Sequence, residues 1–204
     1  MSAPVFLFDF GSPNAYLAWR ALGPVEARTG ARFVLTPILL GGLFKLTGNQ
    51  SPATAFAHIP AKSAYQRHEM LRYADRRGLP FKMNPHFPVN TLTLMRGAVA
   101  ASQMEIFDAY VAAVFHYMWE DPRKLDDPEV LAGCLEAAGL PAKALLEETN
   151  DPAVKAGLVA ATEDAAKRGV FGAPSFLVGE ELFFGKDSLP EVEAEIMRSR
   201  DGGA

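Results

Sequence analysis

The segment Asp9-Phe10-Gly11-Ser12-Pro13-Asn14-Ala15-Tyr16-Leu17 joins a strand-like run to the start of a helix through one glycine. Ser12 stands before a proline, the arrangement of an N-cap hydroxyl that satisfies helix N–H groups left without partners. The same place can do chemistry. A helix N-terminus carries partial positive charge, so an anion such as a thiolate is stabilised there, and the Ser12 hydroxyl can donate to it. Ser12 as a nucleophile would need a base, and none lies nearby in the sequence. A second segment, Gly169-Val170-Phe171-Gly172-Ala173-Pro174-Ser175-Phe176, sets Pro174 directly before a strand. Pro174 lacks an N–H and holds Ala173 extended, which leaves the backbone of Ala173 open to a peptide-like ligand. On residue types alone both segments read first as a helix cap and a rigid strand entry. Cys134 is the sole cysteine, which excludes an internal disulfide, a CxxC pair and a cysteine-rich zinc site. His58, His68, His86 and His116 form no metal-ligand pattern.

The elements that must position these residues follow from periodicity. Pro4 to Phe10 is an apolar, β-forming run closed by Gly11, and Ser12 opens a helix whose stripe of Ala18, Ala21, Leu22 and Val25 continues to Gly30. Arg32 to Thr36 reads as a second strand closed by Pro37. Strand, helix and strand of this length make a βαβ crossover with parallel strands. From Ile38 to Arg168 helical periodicity takes over: Ala61 to Arg77, a segment capped by Asn90-Thr91 and running to Gln103, the stripe Phe107 to Met118, and helices opened by Asp127-Pro128 and Asp151-Pro152. Ser175 to Val178, Gly179-Glu180 and Leu182 to Phe184 read as a hairpin, Leu189 to Arg198 as a last helix, and Asp201 to Ala204 as a frayed tail. The fold class is α/β, with one unit built from residues 1–37 and 169–204 and an inserted all-helical unit over 38–168.

The 204 residues, 49% hydrophobic and 22% charged, exclude a disordered chain. A net charge of −4 lacks the positive field that nucleic acid requires. No run approaches the ~20 apolar residues of a membrane span, and Met1 to Pro4 leads straight into the first strand without a leader. The expectation is a cytoplasmic protein that meets neither nucleic acid nor membrane.

Several blocks in order carry a resemblance over nearly the whole chain: Phe8-Asp9-Phe10-Gly11-Ser12-Pro13 with Tyr16-Leu17; Leu40-Gly41-Gly42-Leu43-Phe44-Lys45 with Thr47-Gly48-Asn49; Phe87-Pro88-Val89-Asn90-Thr91; the Gly169–Phe176 loop; and Phe184-Gly185-Lys186-Asp187. The chain resembles the 2-hydroxychromene-2-carboxylate isomerases, relatives of the kappa-class glutathione transferases with a thioredoxin-like fold of the DsbA type. Redox members open the first helix with CxxC; Ser12-Pro13-Asn14-Ala15 replaces it, which removes disulfide exchange.

The resemblance implies glutathione as cofactor, with its sulfur at Ser12, its backbone on Ala173 beside a cis Pro174, and its γ-glutamyl end on Phe184, Gly185, Lys186 and Asp187. Asp187 would pair with the ligand's ammonium. It implies Lys45, Asn49 and Asn90 as contacts of a small aromatic carboxylate, opened from its hemiketal and isomerised to trans-o-hydroxybenzylidenepyruvate by reversible thiolate addition. Ser188 stands where the family commonly has arginine, and neither serine nor Lys186 reproduces that planar fork. Asn14 replaces a common aromatic. A homodimer is expected. Two other readings stay open: a kappa-like transferase that consumes glutathione, and a non-catalytic module binding a peptide beside Pro174. Cys134 falls on an apolar stripe and reads as inert core. The aromatics of residues 107–119 read as helix packing or a dimer face.

Overall fold

The computed structural model describes residues 2–201. Strands β1 (Val5–Phe8) and β2 (Val34–Pro37) enclose helices α1 (Pro13–Arg20) and α2 (Leu22–Thr29). Then come α3 (Leu40–Thr47), α4 (Pro52–Ala55), α5 (Pro60–Arg76), α6 (Leu92–Gln103), α7 (Phe107–Trp119), α8 (Pro128–Ala137), α9 (Ala142–Glu148) and α10 (Pro152–Lys167). Strands β3 (Ser175–Val178) and β4 (Glu181–Phe184), a 3-10 turn over Lys186–Ser188 and α11 (Leu189–Asp201) complete the chain. No described helix is long and apolar enough to cross a membrane. Of the tail expected to fray, Asp201 is the last residue of α11, and residues 202–204 lie outside the described residues, as does Met1.

The sheet order is β2-β1-β3-β4. β1 and β2 are parallel, as the crossover requires, and β3 runs antiparallel to both β1 and β4. Side chains alternate across a strand, so β1 serves two cores at once. Phe6 and Phe8 point with Phe176 and Val178 into a large core shared with α1, α7 and α11. Leu7 points the other way, joining Leu177, Ile38, Leu43, Ala165 and Val170 under α3 and α10. On the first side Phe115 of α7 inserts among Phe8, Phe10, Tyr16 and Trp19, with ring centroids 4.8–5.8 Å away. Trp119 Nε1 donates to Phe10 O at 2.8 Å. The aromatic stripe expected to pack helices does so against the strand that leads to Ser12.

Three readings are corrected. The helix expected to run from Ser12 to Gly30 breaks at Ala21, because Pro24 has no N–H and its ring clashes with the carbonyl four residues back. The second strand lies slightly later, with Pro37 inside it, paired to Phe8. The Leu40–Thr47 segment, whose Lys45 reads locally as a loop charge, is helix α3. Its glycine pair weakens helical propensity, and its first N–H is satisfied from far away.

That distant partner is Asp9, which is fully buried. Its Oδ2 accepts from Leu40 N and its Oδ1 from Gly11 N, both at 2.8 Å, and Thr91 of the α6 start bonds the same carboxyl. Burial pushes its pKa above the ordinary carboxylate value, while the Leu40 and Gly11 N–H groups and the Thr91 hydroxyl pull it back. At the other end of α1, Glu120 accepts from Tyr16 and Arg20 and bonds His116. Burial raises Glu120, but the His116 and Tyr16 hydrogen bonds and the Arg20 charge outweigh it and hold that carboxyl low.

Two outcomes follow. Gly97 of α6 faces Tyr110, whose hydroxyl donates to Leu94 O; a Cβ at Gly97 would overlap that hydroxyl. Gly97→Ala is expected to lower stability by about 1–3 kcal/mol, read as a shift in denaturant midpoint at unchanged slope. For Asp9 the folded chain holds its proton at a pH where the unfolded chain has released it. The stability of the native protein relative to Asp9→Asn should therefore fall as pH rises from the ordinary carboxylate value through the raised one, then level off. A flat difference between the two denaturation series across acid pH would refute this.

Candidate active site

Ser12 sits at the N-cap of α1 in extended conformation (φ −93°, ψ 112°), and its Oγ accepts from Ala15 N at 3.1 Å. The expected cap is thus in place, with Pro13 in the first helical position. The hydroxyl does a second thing that no local pattern announces: it donates to Ala173 O at 2.8 Å, across 161 residues of chain. The two segments singled out from opposite ends of the sequence meet through that bond. The Ala173-Pro174 peptide is cis, as is Phe87-Pro88.

Beyond Pro174 the loop is fixed by its own backbone. Pro174 O accepts from Gly185 N at 2.9 Å, which ties the end of β4 to the strand entry. Gly185 has φ +90°, a conformation that favours glycine. Phe171 and Phe184, both substantially exposed, form an aromatic pair with centroids 4.6 Å apart beside Ala173. Gly172 lies under that pair, where a Cβ would come within 2.7 Å of Phe184 Cε2. The glycine is therefore what lets the ring close over the loop.

Lys186, read from the sequence as a flexible lysine, is buried. Its Nζ reaches both oxygens of Glu69 on α5 at 2.7 and 2.8 Å and Asp187 Oδ2 at 2.8 Å, and it lies 4.7 Å from the centre of the Tyr73 ring. An ammonium has three donors, and all three are engaged. Asp187 itself is 73% exposed at its side chain, so its carboxylate stays open to solvent. Ser188 donates to Gly185 O at 2.7 Å, so its hydroxyl closes the turn. Glu69, which sequence reasoning missed, joins the 184–187 loop to α5 through its pair with Lys186.

The three residues expected at the aromatic substrate are not brought to one point by direct bonds. Asn49 Nδ2 donates to Phe171 O at 2.8 Å, linking the end of α3 to the loop before Ala173. Asn90 Oδ1 accepts from Leu92 N and so serves the start of α6. Lys45 is exposed on α3, has no ion-pair partner among the described residues, and borders a cavity toward α10. Asn14, in the first turn of α1, carries a buried Oδ1 without a hydrogen-bond partner. Burial raises the pKa of the Cys134 thiol, which keeps it protonated within the helical core, in line with the inert role expected.

The chain is similar to known proteins over nearly its whole length. The family model for the DSBA-like thioredoxin domain matches residues 5–197. A 2-hydroxychromene-2-carboxylate isomerase of Sphingobium xenophagum is 31% identical over 195 residues, covering 94% of this chain and 96% of the relative. Glutathione S-transferase kappa 1 of Homo sapiens is 24% identical over 200 residues, covering 89% of this chain and 85% of its own. A solved structure of a 2-hydroxychromene-2-carboxylate isomerase superposes with a TM-score of 0.85 at 25% identity, covering 99% of this chain and 98% of that one. With β-α-β before the helical block and β-β-α after it, and a serine cap joined to the loop at a cis proline, the chain belongs to the DSBA-like thioredoxin family, in the branch of the 2-hydroxychromene-2-carboxylate isomerases and their kappa-class transferase relatives.

Proposed function

We propose that the protein employs glutathione as a recycled thiol to isomerise 2-hydroxychromene-2-carboxylate, or a close aromatic analogue, to trans-o-hydroxybenzylidenepyruvate. The observation that carries this reading is the 2.8 Å bond from Ser12 Oγ to Ala173 O, which sets a helix start against the loop before Pro174. Two more observations fit the tripeptide. Glu69, Lys186 and Asp187 together carry one surplus negative charge beside the loop, a setting for the γ-glutamyl ammonium. The unpartnered Asn14 Oδ1 leaves an acceptor unused at the same helix start.

When bound, glutathione would supply a thiolate able to add reversibly to a double bond conjugated with a carbonyl, which would let that bond rotate. The chain's residues make that possible. The Ala173 backbone pairs with the tripeptide as an edge strand would. Once a peptide N–H takes Ala173 O, the Ser12 hydroxyl is freed to donate to the sulfur, and the N-terminus of α1 favours its ionised form at neutral pH. Phe184, Gly185 and Asp187 line the γ-glutamyl end, with Lys186 holding Asp187 in place. Lys45 is the cation for the substrate carboxylate. Asn49 acts by fixing the loop after α3, because both its polar atoms serve backbone groups, while Asn90, whose Oδ1 caps the start of α6, offers its amide N–H groups to the substrate.

Ser12→Ala should lower glutathione-dependent conversion of the chromene, followed by absorbance, by about 10²-fold, the effect of deleting one donor to a developing anion. Unchanged turnover would remove Ser12 from the mechanism. A test independent of activity uses Ser12→Cys with oxidised glutathione: the new thiolate displaces one glutathione thiolate and retains the other half as a mixed disulfide, seen by mass spectrometry. Wild-type protein, with Cys134 buried, should stay unmodified, and an unmodified variant would place the sulfur elsewhere. Free thiol should be constant through turnover. Its stoichiometric loss would instead support the transferase reading suggested by the similarity to the human kappa enzyme.

A further inference from the structure

The loop that carries Asp187 offers a ligand an anion and no cation. Lys186 spends its three donors on Glu69 and Asp187, and Ser188 gives its hydroxyl proton to Gly185 O. Asp187 is left exposed, able to take an ammonium. The head of a γ-glutamyl group is an α-amino acid, however, and carries a carboxylate on the same carbon as that ammonium. Brought beside Glu69 and Asp187 without a donor of its own, that carboxylate would be repelled. A group outside the loop has to receive it.

The ring of Tyr73 on α5 links the loop to such a group. Lys186 Nζ lies 4.7 Å from its centre, and the Arg77 guanidinium lies over the same ring at 3.7 Å. Residues four apart share a helix face, so the Arg77 side chain lies back across the preceding turn. Arg77 is exposed and belongs to none of the nine ion pairs among the described residues. Tyr73 is 5% exposed, and its hydroxyl has no hydrogen-bond partner among the described residues. That oxygen is not sealed in: the side-chain atom both enclosed and unpartnered among the described residues is Asn14 Oδ1. Burial raises the pKa of the Tyr73 hydroxyl, and among the nearby charges Arg77 acts on it most strongly, against Asp187 and Glu69. The hydroxyl therefore stays protonated, a free donor within reach of the field of an unpaired guanidinium and of both carboxylates.

We infer that Arg77 and the Tyr73 hydroxyl hold the α-carboxylate of a γ-glutamyl ligand while Asp187 holds its ammonium, so that α5 and the 184–187 loop read the amino-acid head together. The inference rests on the glutathione reading and names the residues that would make it selective. Two carboxylates, Glu69 and Asp187, then stand against two cations, Lys186 and Arg77, a balance that suits a zwitterion. A guanidinium brings the planar fork that matches a carboxylate, which neither Lys186 nor Ser188 supplies. The Glu69–Lys186 pair acquires a second use, because it fixes α5, and with it Arg77, against the loop that carries Asp187.

The test measures by isothermal titration calorimetry the affinity of the full chain for reduced glutathione and two analogues. One is γ-aminobutyryl-cysteinylglycine, which lacks the α-carboxylate; the other is glutaryl-cysteinylglycine, which lacks the ammonium. Arg77→Gln should weaken glutathione about tenfold and Tyr73→Phe about threefold. Both should leave the affinity for the γ-aminobutyryl analogue unchanged, because the group they read is gone. Arg77→Lys, which keeps the charge without the fork, should recover part of the loss. Asp187→Asn should show the converse, weakening glutathione and the γ-aminobutyryl analogue but not the glutaryl one. Tyr73→Phe keeps the ring and Arg77→Gln changes an exposed side chain, so the circular dichroism spectrum should not move. An equal loss for glutathione and the γ-aminobutyryl analogue would mark a purely structural effect and overturn the inference, as would wild-type affinity for glutathione in Arg77→Gln. In both of those outcomes glutathione remains a ligand. An unaltered chain that binds none of the three tripeptides would instead remove the glutathione reading, and the inference with it.

Discussion

A carboxylate buried at the end of a strand must find donors or forfeit several kcal/mol, and Asp9 finds them on three separate pieces of chain. Gly11 N–H fixes the turn that aims Ser12. Leu40 N–H fixes where α3 begins, and Thr91 fixes where α6 begins. Any shift of α3 or α6 relative to β1 leaves a buried oxygen unsatisfied, so one side chain imposes the relative position of the thioredoxin-like strands and the helices that cover them. Burial still outweighs these hydrogen bonds and pushes the Asp9 carboxyl above the ordinary carboxylate range, so its donors do not fully replace water.

The second constraint is competition for one hydroxyl. Ser12 has one proton to donate and gives it to Ala173 O, while its oxygen receives Ala15 N–H. The cap and the cross-chain bond use different capacities of the group, so the helix start stays capped if the donated bond changes partner. In the glutathione reading this lets the hydroxyl turn toward sulfur without fraying α1. Glu120, which bonds both Tyr16 and Arg20, holds the other end of the helix still.

Much of this architecture was legible in the sequence because its signals are local. The caps Ser12, Asp127 and Asp151 each bond N–H groups within three residues, and each stands before a proline at the first helical position. What stayed hidden depends on partners far along the chain. Helix α3 carries two glycines and takes its cap from Asp9, 31 residues earlier, so no window around it reads as a helix start. The break at Ala21 was obscured because the apolar spacing of Ala18, Leu22 and Val25 continues across it. Ser12 could be read as a cap, but its bond to Ala173 could not; only the resemblance placed those residues together. Lys186 was read as a flexible lysine because its partner Glu69 sits 117 residues away.

Strand β1 is a partition as well as a scaffold. Phe6 and Phe8 belong to one core and Leu7 to another, and the second core is small. Changes to Leu7, Ile38, Leu43 or Val170 reach α3 and α10 without touching the aromatic packing that seats α1. Distant sites without shared partners behave additively, so the two sides of the sheet can drift independently. A lineage could reshape the helices over the small core, and whatever binds there, while the serine at the head of α1 and the loop facing it descend unaltered.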